Sequence, residues 1–458
     1  MGIIYGVPLA NILHHDWQET FIYLGYIGLI LIIFEGGLTT RLDLLRNNFV
    51  LSLLGAATGV IVPIVFSYLL LFLGFGYGAV ETFIIGAALS ATSLGTTFAV
   101  IAGNVESVDL SQTRVGAVLV SAAVMDDVTG LVMLSVIHDL GLLSDGGNVN
   151  LGWLIGRPIV ASAAMAILTP VLSKWLFAPL FRKYIEARFA RYDHLSNIIL
   201  MILVLSAFLS IAAYTGTSVL FGAFLAGSFL TYLPSKHPEG PFVVLSREEG
   251  EREKDKSPTF VHTFECYLID ALNYVLAPLF FASIGFAVPF LSLWTGEAIW
   301  KGVVFTLMML LGKVLVGSWI VIWEVFHPSQ EVQKGQSSGS DSEKQESKSG
   351  NKSFMGKVKP ALEPALLLGM AMVARGEIGL LIVEIGYNNT SYVSEAGFIT
   401  AIWAILLNTI IGPVAVGMLV KYRGTKIGEG AWGLVPASGP AEDRRQAEEA
   451  GQAAQDRV

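Results

Sequence analysis

The sequence predicts an all-α polytopic membrane protein, and two observations support that prediction. Of the 458 residues, 53% are hydrophobic and only 14% are charged, whereas a soluble domain carries about a quarter charged residues. Apolar stretches also recur along the chain at roughly the 20-residue length that a helix needs to cross about 30 Å of hydrocarbon. The charged residues cluster between these stretches, so the net charge of −8 comes mostly from the loops and the C-terminal tail. We infer no nucleic-acid partner from it.

Hydropathy places about 11–12 transmembrane helices, of which eleven are complete and one is partial. The partial span covers residues 1–13. The complete spans, numbered two to twelve, cover residues 20–38, 49–74, 82–102, 113–137, 152–178, 195–213, 218–233, 264–290, 298–326, 361–385 and 396–420. Together they predict one transmembrane domain over residues 1–420.

The basic residues are distributed unequally between the two sets of alternate loops. Of the 29 Lys and Arg residues, 24 lie in the C-terminal tail and the loops on its side. Because positive residues are retained in the cytoplasm, we predict a cytoplasmic C-terminus. Residues 234–262 form a cytoplasmic loop, whereas the loop 330–359 and the tail 421–458 are predicted to be disordered, since their polar composition cannot support a core. The sequence does not distinguish the plasma membrane from an endomembrane.

Signatures of enzyme chemistry are missing from the sequence. We find no nucleotide-binding fingerprint, metal cluster or nucleophile–base pattern, and therefore expect neither an enzyme nor a bound cofactor. The single cysteine, Cys266, excludes an internal disulfide. Asn388 and Asn389 begin two overlapping N-glycosylation motifs in a non-cytoplasmic loop, a short pattern that also occurs often by chance.

The most informative residues are two adjacent aspartates, Asp126 and Asp127, near the middle of the fifth span. Charged residues at this depth are costly and usually mark an ion pathway or a proton relay. Adjacent helical residues point about 100° apart, so one carboxylate can face a cavity while the other faces a packed neighbour. Two close carboxylates do not both ionise in a low dielectric without a compensating cation. The pair therefore predicts a site that holds either a proton or a metal cation.

Lys313, deep within the tenth span, is the expected partner of one aspartate. A buried lysine that separates from its carboxylate can release a proton and so carry one across the membrane. A static ion pair is the alternative. Glu324 and Glu384 lie nearer to span ends, where we expect interfacial positions.

The fourth and eleventh spans are predicted to be broken helices. The fourth contains Thr92 and Ser93 in a Thr-Ser-Leu-Gly-Thr-Thr run, and the eleventh contains Arg375-Gly376-Glu377. Broken helices at matching positions of inverted repeats indicate a transport site at the membrane midplane. Spans three to five would then pair with spans ten to twelve. We expect Thr92 and Ser93 to help to ligate a cation, and Arg375 and Glu377 to compensate the dipoles of the interrupted helices.

These features resemble the cation/proton antiporter superfamily, which includes sodium/hydrogen exchangers of the electrogenic Asp-Asp type. The resemblance covers residues 2–420 and rests on the order of several weak motifs. In addition to Asp126-Asp127 and the Thr-Ser-x-Gly run, they are Phe34-Glu35-Gly36-Gly37-Leu38, Gly222-Ala223-Phe224-Leu225-Ala226-Gly227, Phe280-Phe281-Ala282-Ser283-Ile284-Gly285, Gly312-Lys313 and Arg375-Gly376-Glu377. The family implies exchange of a monovalent cation (Na⁺, K⁺ or Li⁺) for protons across a lipid bilayer.

The resemblance also implies an architecture and residue roles. It implies the sodium/proton antiporter fold, with core helices at residues 48–138 and 298–420, scaffold helices at 1–38 and 195–290, and a homodimer. Asp127 resembles the aspartate that binds the transported metal cation, and Asp126 the aspartate that pairs with the core lysine, here Lys313.

The sequence departs from the family at its start, because residues 1–13 resemble only the second half of the family's first helix. That difference would affect the dimerisation side more than the ion site. Two other hypotheses remain: a sodium-coupled solute symporter, for which neutral polar contacts are expected instead of an Asp-Asp pair, and a non-transporting regulatory homologue.

Overall fold

The computed structural model describes most of the predicted transmembrane region. The described residues are 2–6, 9, 12–40, 48–93, 113–144, 151–184, 193–231, 260–326, 354–429 and 432–433. Most of the predicted loops 234–262 and 330–359, and the tail from residue 434, lie outside them. The described residues form helices joined by short turns.

The helices are numbered in chain order. The first nine are α1 (Gly2–Tyr5), α2 (His15–Thr39), α3 (Phe49–Ser67), α4 (Ala79–Ala88), α5 (Arg114–Ser144), α6 (Leu151–Leu172), α7 (Ala178–Tyr184), α8 (Asp193–Thr215) and α9 (Val219–Thr231). The remainder are α10 (Phe260–Tyr267), α11 (Ile269–Ala271), α12 (Ala277–Ala287), α13 (Phe290–Leu293), α14 (Gly296–Val314), α15 (Ser318–Phe326), α16 (Phe354–Ala371), α17 (Glu377–Asn388) and α18 (Glu395–Glu429). A 3₁₀ turn, Leu315–Gly317, joins α14 to α15.

The predicted fold class is confirmed. Among the described residues, eight helices are long and apolar enough to cross a membrane, and three shorter apolar helices accompany them. Ten of the eleven complete spans predicted from hydropathy coincide with one of these helices or with consecutive helical segments. Of the fourth span, α4 covers the first part, and residues 94–102 lie outside the described residues. Large apolar side chains such as Trp175, Leu73 and Leu203 lie exposed on the outer faces, as a lipid-facing surface requires.

Several predicted boundaries were wrong. The tail was predicted to be disordered from residue 421, but α18 continues to Glu429 and the side chain of Trp432 is fully buried. The loop predicted at 330–359 is shortened by α16, which begins at Phe354. Glu324 lies near the end of α15, is buried, and accepts a hydrogen bond from Trp432; its position at the membrane interface stays a prediction.

Close backbone contact joins α2 to α9. Gly37 in α2 faces the main chain of Phe224, and Gly227 in α9 faces the main chain of Phe34 and Leu38. Ser228 adds a hydrogen bond from its hydroxyl to the carbonyl of Gly37, at 3.3 Å. Small residues at such interfaces allow helices in a membrane to approach closely, where van der Waals contact replaces the hydrophobic effect.

The contact between α2 and α9 generates a stability prediction. Gly37→Ala would force a methyl group against backbone atoms of Phe224, and we expect a loss of roughly 1–3 kcal/mol of stability. Gly36→Ala is the matched control, because a Cβ there meets no described heavy atom within 4 Å outside its own helix. The thermal unfolding midpoint, Tm, in detergent checks both variants. Equal Tm values would contradict the packing argument.

Candidate functional site

The site is built where the end of α4 meets the break between α16 and α17. Helix α4 ends at Ala88 and is followed by non-helical chain at residues 91–93; α16 ends at Ala371, and α17 begins at Glu377. The two non-helical segments pair directly, because the backbone N–H of Ser93 donates to the carbonyl of Ala374 at 2.9 Å. Gly376 is required here, since a Cβ would lie 2.6 Å from Cβ of Ser93. The contact holds the interrupted segments together in the middle of the bundle.

Asp126 of α5 and Lys313 of α14 form a sealed ion pair beside this crossing. The Lys313 Nζ lies 2.6 Å from Oδ2 of Asp126, and neither side chain is exposed to solvent. The Thr92 hydroxyl donates to the same Oδ2 and accepts a hydrogen bond from Lys313 Nζ at 2.8 Å. Gly59 of α3 leaves room for the pair, because a Cβ there would lie 3.2 Å from Lys313 Nζ. Three of the predicted site residues are therefore in direct contact.

Asp127 differs from Asp126 in its surroundings. It is half-buried, whereas Asp126 is completely buried, so the two adjacent carboxylates face different environments. Asp127 lies within electrostatic range of Asp126, Lys313 and Glu377. Within the described chain, its Oδ1 accepts no hydrogen bond. A carboxylate in this position can bind a proton or a cation without first breaking an ion pair.

Arg375 and Glu377 lie at the ends of the interrupted helices. Arg375 is fully buried, and its Nη1 donates to the carbonyls of Ser90 and Ala91, at 3.3 and 2.9 Å. Those carbonyls follow the C-terminal end of α4, where the helix dipole is negative and a cation is favourable. Glu377 is the first residue of α17, at the positive end of that helix, and is half-buried. Each charge is thus opposite in sign to the helix end beside it.

Several buried polar atoms at this site have no hydrogen-bond partner in the described part of the chain. They are Oδ1 of Asp126 and Asp127, Nε and Nη2 of Arg375, and both amide atoms of Asn408. An unsatisfied buried polar group costs about 1–3 kcal/mol. Such groups are usually kept where water or an ion completes their bonding. The set therefore fits a site at which water or an ion completes the bonding.

Asn408 was missed in the sequence analysis. It lies in α18, next to Thr409, whose hydroxyl donates to the carbonyl of Arg375 at 2.9 Å, and one turn before Gly412, which packs on Ala374. A single amide in an apolar span is a weaker signal than a charged residue, although its depth in the twelfth span could have identified it.

The predicted glycosylation residues lie away from the other site residues. Asn388 and Asn389 are exposed at the end of α17, and Asn388 Nδ2 donates to Glu384 at 2.8 Å. Their glycosylation stays a prediction. No group of three or more metal-ligating His, Cys, Asp or Glu side chains occurs among the described residues.

Comparison with known proteins gives a consistent result. A family model described as "Sodium/hydrogen exchanger, transmembrane" matches residues 1–422. A Na⁺/H⁺ antiporter from Enterococcus hirae is 27% identical over 420 residues, which cover 91% of this chain and 86% of the relative. The Na⁺/H⁺-K⁺ antiporter GerN from Bacillus cereus is 24% identical over 418 residues, covering 90% of this chain and 86% of the relative. Both relatives align along nearly their whole length.

Similarity of fold extends to a solved structure. The sodium proton antiporter MjNhaP1 from Methanocaldococcus jannaschii superposes with a TM-score of 0.53 at 19% identity. The match covers 91% of this chain and 89% of that protein. At this level of identity, the match establishes the fold.

The buried pair generates a second stability prediction. Asp126→Asn leaves the Lys313 ammonium buried without a counter-charge, and we expect a loss of about 3–5 kcal/mol. The double variant Asp126→Asn with Lys313→Met removes both charges and should recover most of that loss. The Tm in detergent checks both variants.

An exposed ion pair provides the control. Nη1 of Arg423 and Oε1 of Glu363 lie 2.7 Å apart, close to the 2.6 Å of the buried pair, but both side chains are partly exposed, so Glu363→Gln should cost less than about 1 kcal/mol. A double Asp126/Lys313 variant no more stable than Asp126→Asn alone would contradict the prediction.

Proposed function

Because the chain belongs to the sodium/hydrogen exchanger family, whose members are membrane antiporters and not enzymes, we propose that it exchanges Na⁺ for protons by alternating access at Asp127. One observation carries this proposal: Asp127, a partly exposed residue whose Oδ1 has no hydrogen-bond partner among the described residues, adjoins the completely sealed ion pair Asp126–Lys313. In this proposal, Asp127 exchanges ions with water, whereas the Asp126–Lys313 pair keeps its two charges away from water.

The charges of the site support a single monovalent ion. Asp127 lies within electrostatic range of Asp126, Glu377 and Lys313, and Arg375 lies within range of Asp126 and Lys313. With all five side chains ionised, the cluster carries one net negative charge. While Lys313 keeps its proton, one Na⁺ or one proton at Asp127 neutralises that charge, and the two ions cannot be held there together. Competition for this carboxylate couples the movement of the two ions.

The mechanism begins when a cation reaches Asp127 and displaces its proton. Backbone carbonyls of the interrupted segments supply further oxygen ligands, as does the Ser93 hydroxyl. The Thr92 hydroxyl is engaged by Asp126 and Lys313, so it joins the cation only when that pair opens. Opening exposes Lys313, which releases a second proton. Two protons then move against one Na⁺, and the exchange is electrogenic.

Arg375 and Glu377 have a supporting role in this proposal. Arg375 neutralises carbonyls that follow α4, and Glu377 neutralises the start of α17. Their charges allow two helices to stop within the bilayer without exposing uncompensated dipoles. The free carbonyls near them then remain available to the transported ion.

The proposal extends to movement and assembly. Core helices at residues 48–138 and 298–420 move against scaffold helices at residues 1–38 and 195–290, and two copies assemble through the scaffold as a homodimer. The C-terminus faces the cytoplasm, in accordance with the distribution of Lys and Arg.

Asp127→Asn tests the ion site. The amide can neither release a proton nor neutralise a cation, so we expect Na⁺-driven dissipation of a pH gradient in proteoliposomes to fall to the level of empty vesicles. Asp139→Asn, the same chemical change near the end of α5, should retain exchange. Comparison of Na⁺, K⁺ and Li⁺ with the unmodified chain ranks the cations.

Two outcomes would contradict the proposal. Undiminished exchange by Asp127→Asn would remove Asp127 from the ion site. Complete inactivity of the unmodified chain with every cation would favour a solute symporter or a non-transporting homologue.

A second experiment tests electrogenic exchange. An inside-negative potential, set with valinomycin and a K⁺ gradient, should accelerate exchange in which protons enter and Na⁺ leaves. One net charge across 100 mV corresponds to about 2.3 kcal/mol, so the rate should respond clearly. Vesicles that contain the Asp127→Asn variant measure the background leak of protons, because this variant should not exchange ions. An exchange rate independent of potential would instead indicate one proton per cation.

A further inference from the structure

Two residues that follow α18 contact the start of α5, which carries Asp126 and Asp127, and the end of α15. Trp432 and Gly433, here called the C-terminal anchor, follow α18 and lie at the start of α5 and the end of α15. Trp432 is fully buried. Its indole Nε1–H donates to Oε2 of Glu324 at 3.0 Å, and the Arg114 guanidinium lies 4.4 Å from the ring centroid. The indole of Trp432 therefore makes two directional contacts, a hydrogen bond to the Glu324 carboxylate and a cation–π contact with Arg114.

The anchor also completes the first turn of α5. The first N–H groups of a helix have no partner within that helix. Here the N–H of Arg114 donates to the carbonyl of Gly433 at 2.9 Å, and the N–H of Val115 to that of Trp432 at 3.2 Å. The anchor therefore caps α5 with main-chain carbonyls in addition to placing an indole against it.

Both helices that the anchor joins lead to the buried ion pair. Asp126 lies 12 residues after Arg114 in α5, about 18 Å along the helix axis. Lys313 lies 11 residues before Glu324, along α14, the 3₁₀ turn and α15. The anchor thus fixes one end of α5 and one end of α15, and the Asp126–Lys313 pair joins α5 to α14, which leads into α15 through the 3₁₀ turn.

The surroundings of the anchor are apolar and continuous with the helices of the site. Trp432 belongs to one buried cluster with Val115 and Val118 of α5, Ile320 of α15 and Ile427 of α18. These side chains form a pocket that holds the indole ring of Trp432, and the next residue, Gly433, has no side chain to accommodate. The pocket is therefore a binding surface that a segment of this chain occupies.

We propose that this pocket is an interaction surface for the chain's own C-terminal segment, and that its occupation holds α5 and α15 at the spacing that ion exchange requires. The link to transport rests on the function proposed above; the binding of the segment does not. Loss of the anchor leaves Asp127 and its ligands in place, so that it lowers the rate of exchange and not the affinity for Na⁺.

Two truncated chains test the proposal. One ends at Gly433 and keeps the anchor; the other ends at Glu429 and lacks it. We expect the first to match the full chain in Tm and in exchange rate. The second should lose about 2–4 °C in Tm and about 2-fold or more in maximal rate, with an unchanged KM for Na⁺.

Point substitutions separate the indole from the rest of the segment. Trp432→Ala should reproduce the shorter truncation. Trp432→Phe keeps a ring beneath Arg114 but lacks the donor to Glu324, and should give intermediate values of Tm and rate. Trp153→Ala, at an exposed indole, controls for the loss of a tryptophan.

The outcomes distinguish the two parts of the proposal. Identical Tm and rate for the two truncated chains would overturn it. A lower Tm with an unchanged rate would overturn the link to transport. If the full chain shows no exchange, the proposed function fails, and the Tm difference between the truncated chains still decides whether the segment is bound.

Discussion

The buried ion pair between Asp126 and Lys313 is the interaction on which the arrangement of the site depends. Neither charge is stable in a low-dielectric interior without the other, so α5 and α14 must present them at the same level and facing each other. The pair also needs space, which Gly59 leaves in α3, and a hydroxyl, which Thr92 supplies from the end of α4. Four elements are therefore fixed relative to one another by a single pair of charges.

The same site keeps several polar atoms unpaired, which opposes its stability. The amide of Asn408 and two nitrogens of Arg375, Nε and Nη2, are buried without partners in the described structure, although apolar replacements would be easier to bury. In the function proposed above, these groups are left for water or a cation to complete. The sealed pair then provides rigidity, and the unpaired atoms provide the affinity.

The sequence predicted those features that a single residue or a local pattern can reveal. Long apolar stretches identified ten of the eleven complete spans and the described half of the fourth, and the cost of charges within a membrane singled out Asp126, Asp127 and Lys313. The break at Arg375 between two helical segments was visible in the sequence, as was the end of α4 before Thr92. The sequence did not reveal Trp432 or the burial of Glu324, because each depends on a contact between residues more than 100 positions apart. A polar tail that contains one tryptophan has the composition of a solvated segment. Only the structure shows the buried site that the tryptophan occupies.

Polar contacts at both ends of the bundle explain why the interruptions lie in its middle. At one end, Glu81 in the first turn of α4 accepts a hydrogen bond from the N–H of Ser394, just before α18, at 2.9 Å. At the other end, Trp432 joins α5 to α15 through Arg114 and Glu324. Each contact connects one structural repeat to the other. With both ends held, the non-helical segments at residues 91–93 and 374–376 lie between the two sets of contacts, where surrounding protein buries most of their residues and lipid is excluded from their backbone groups.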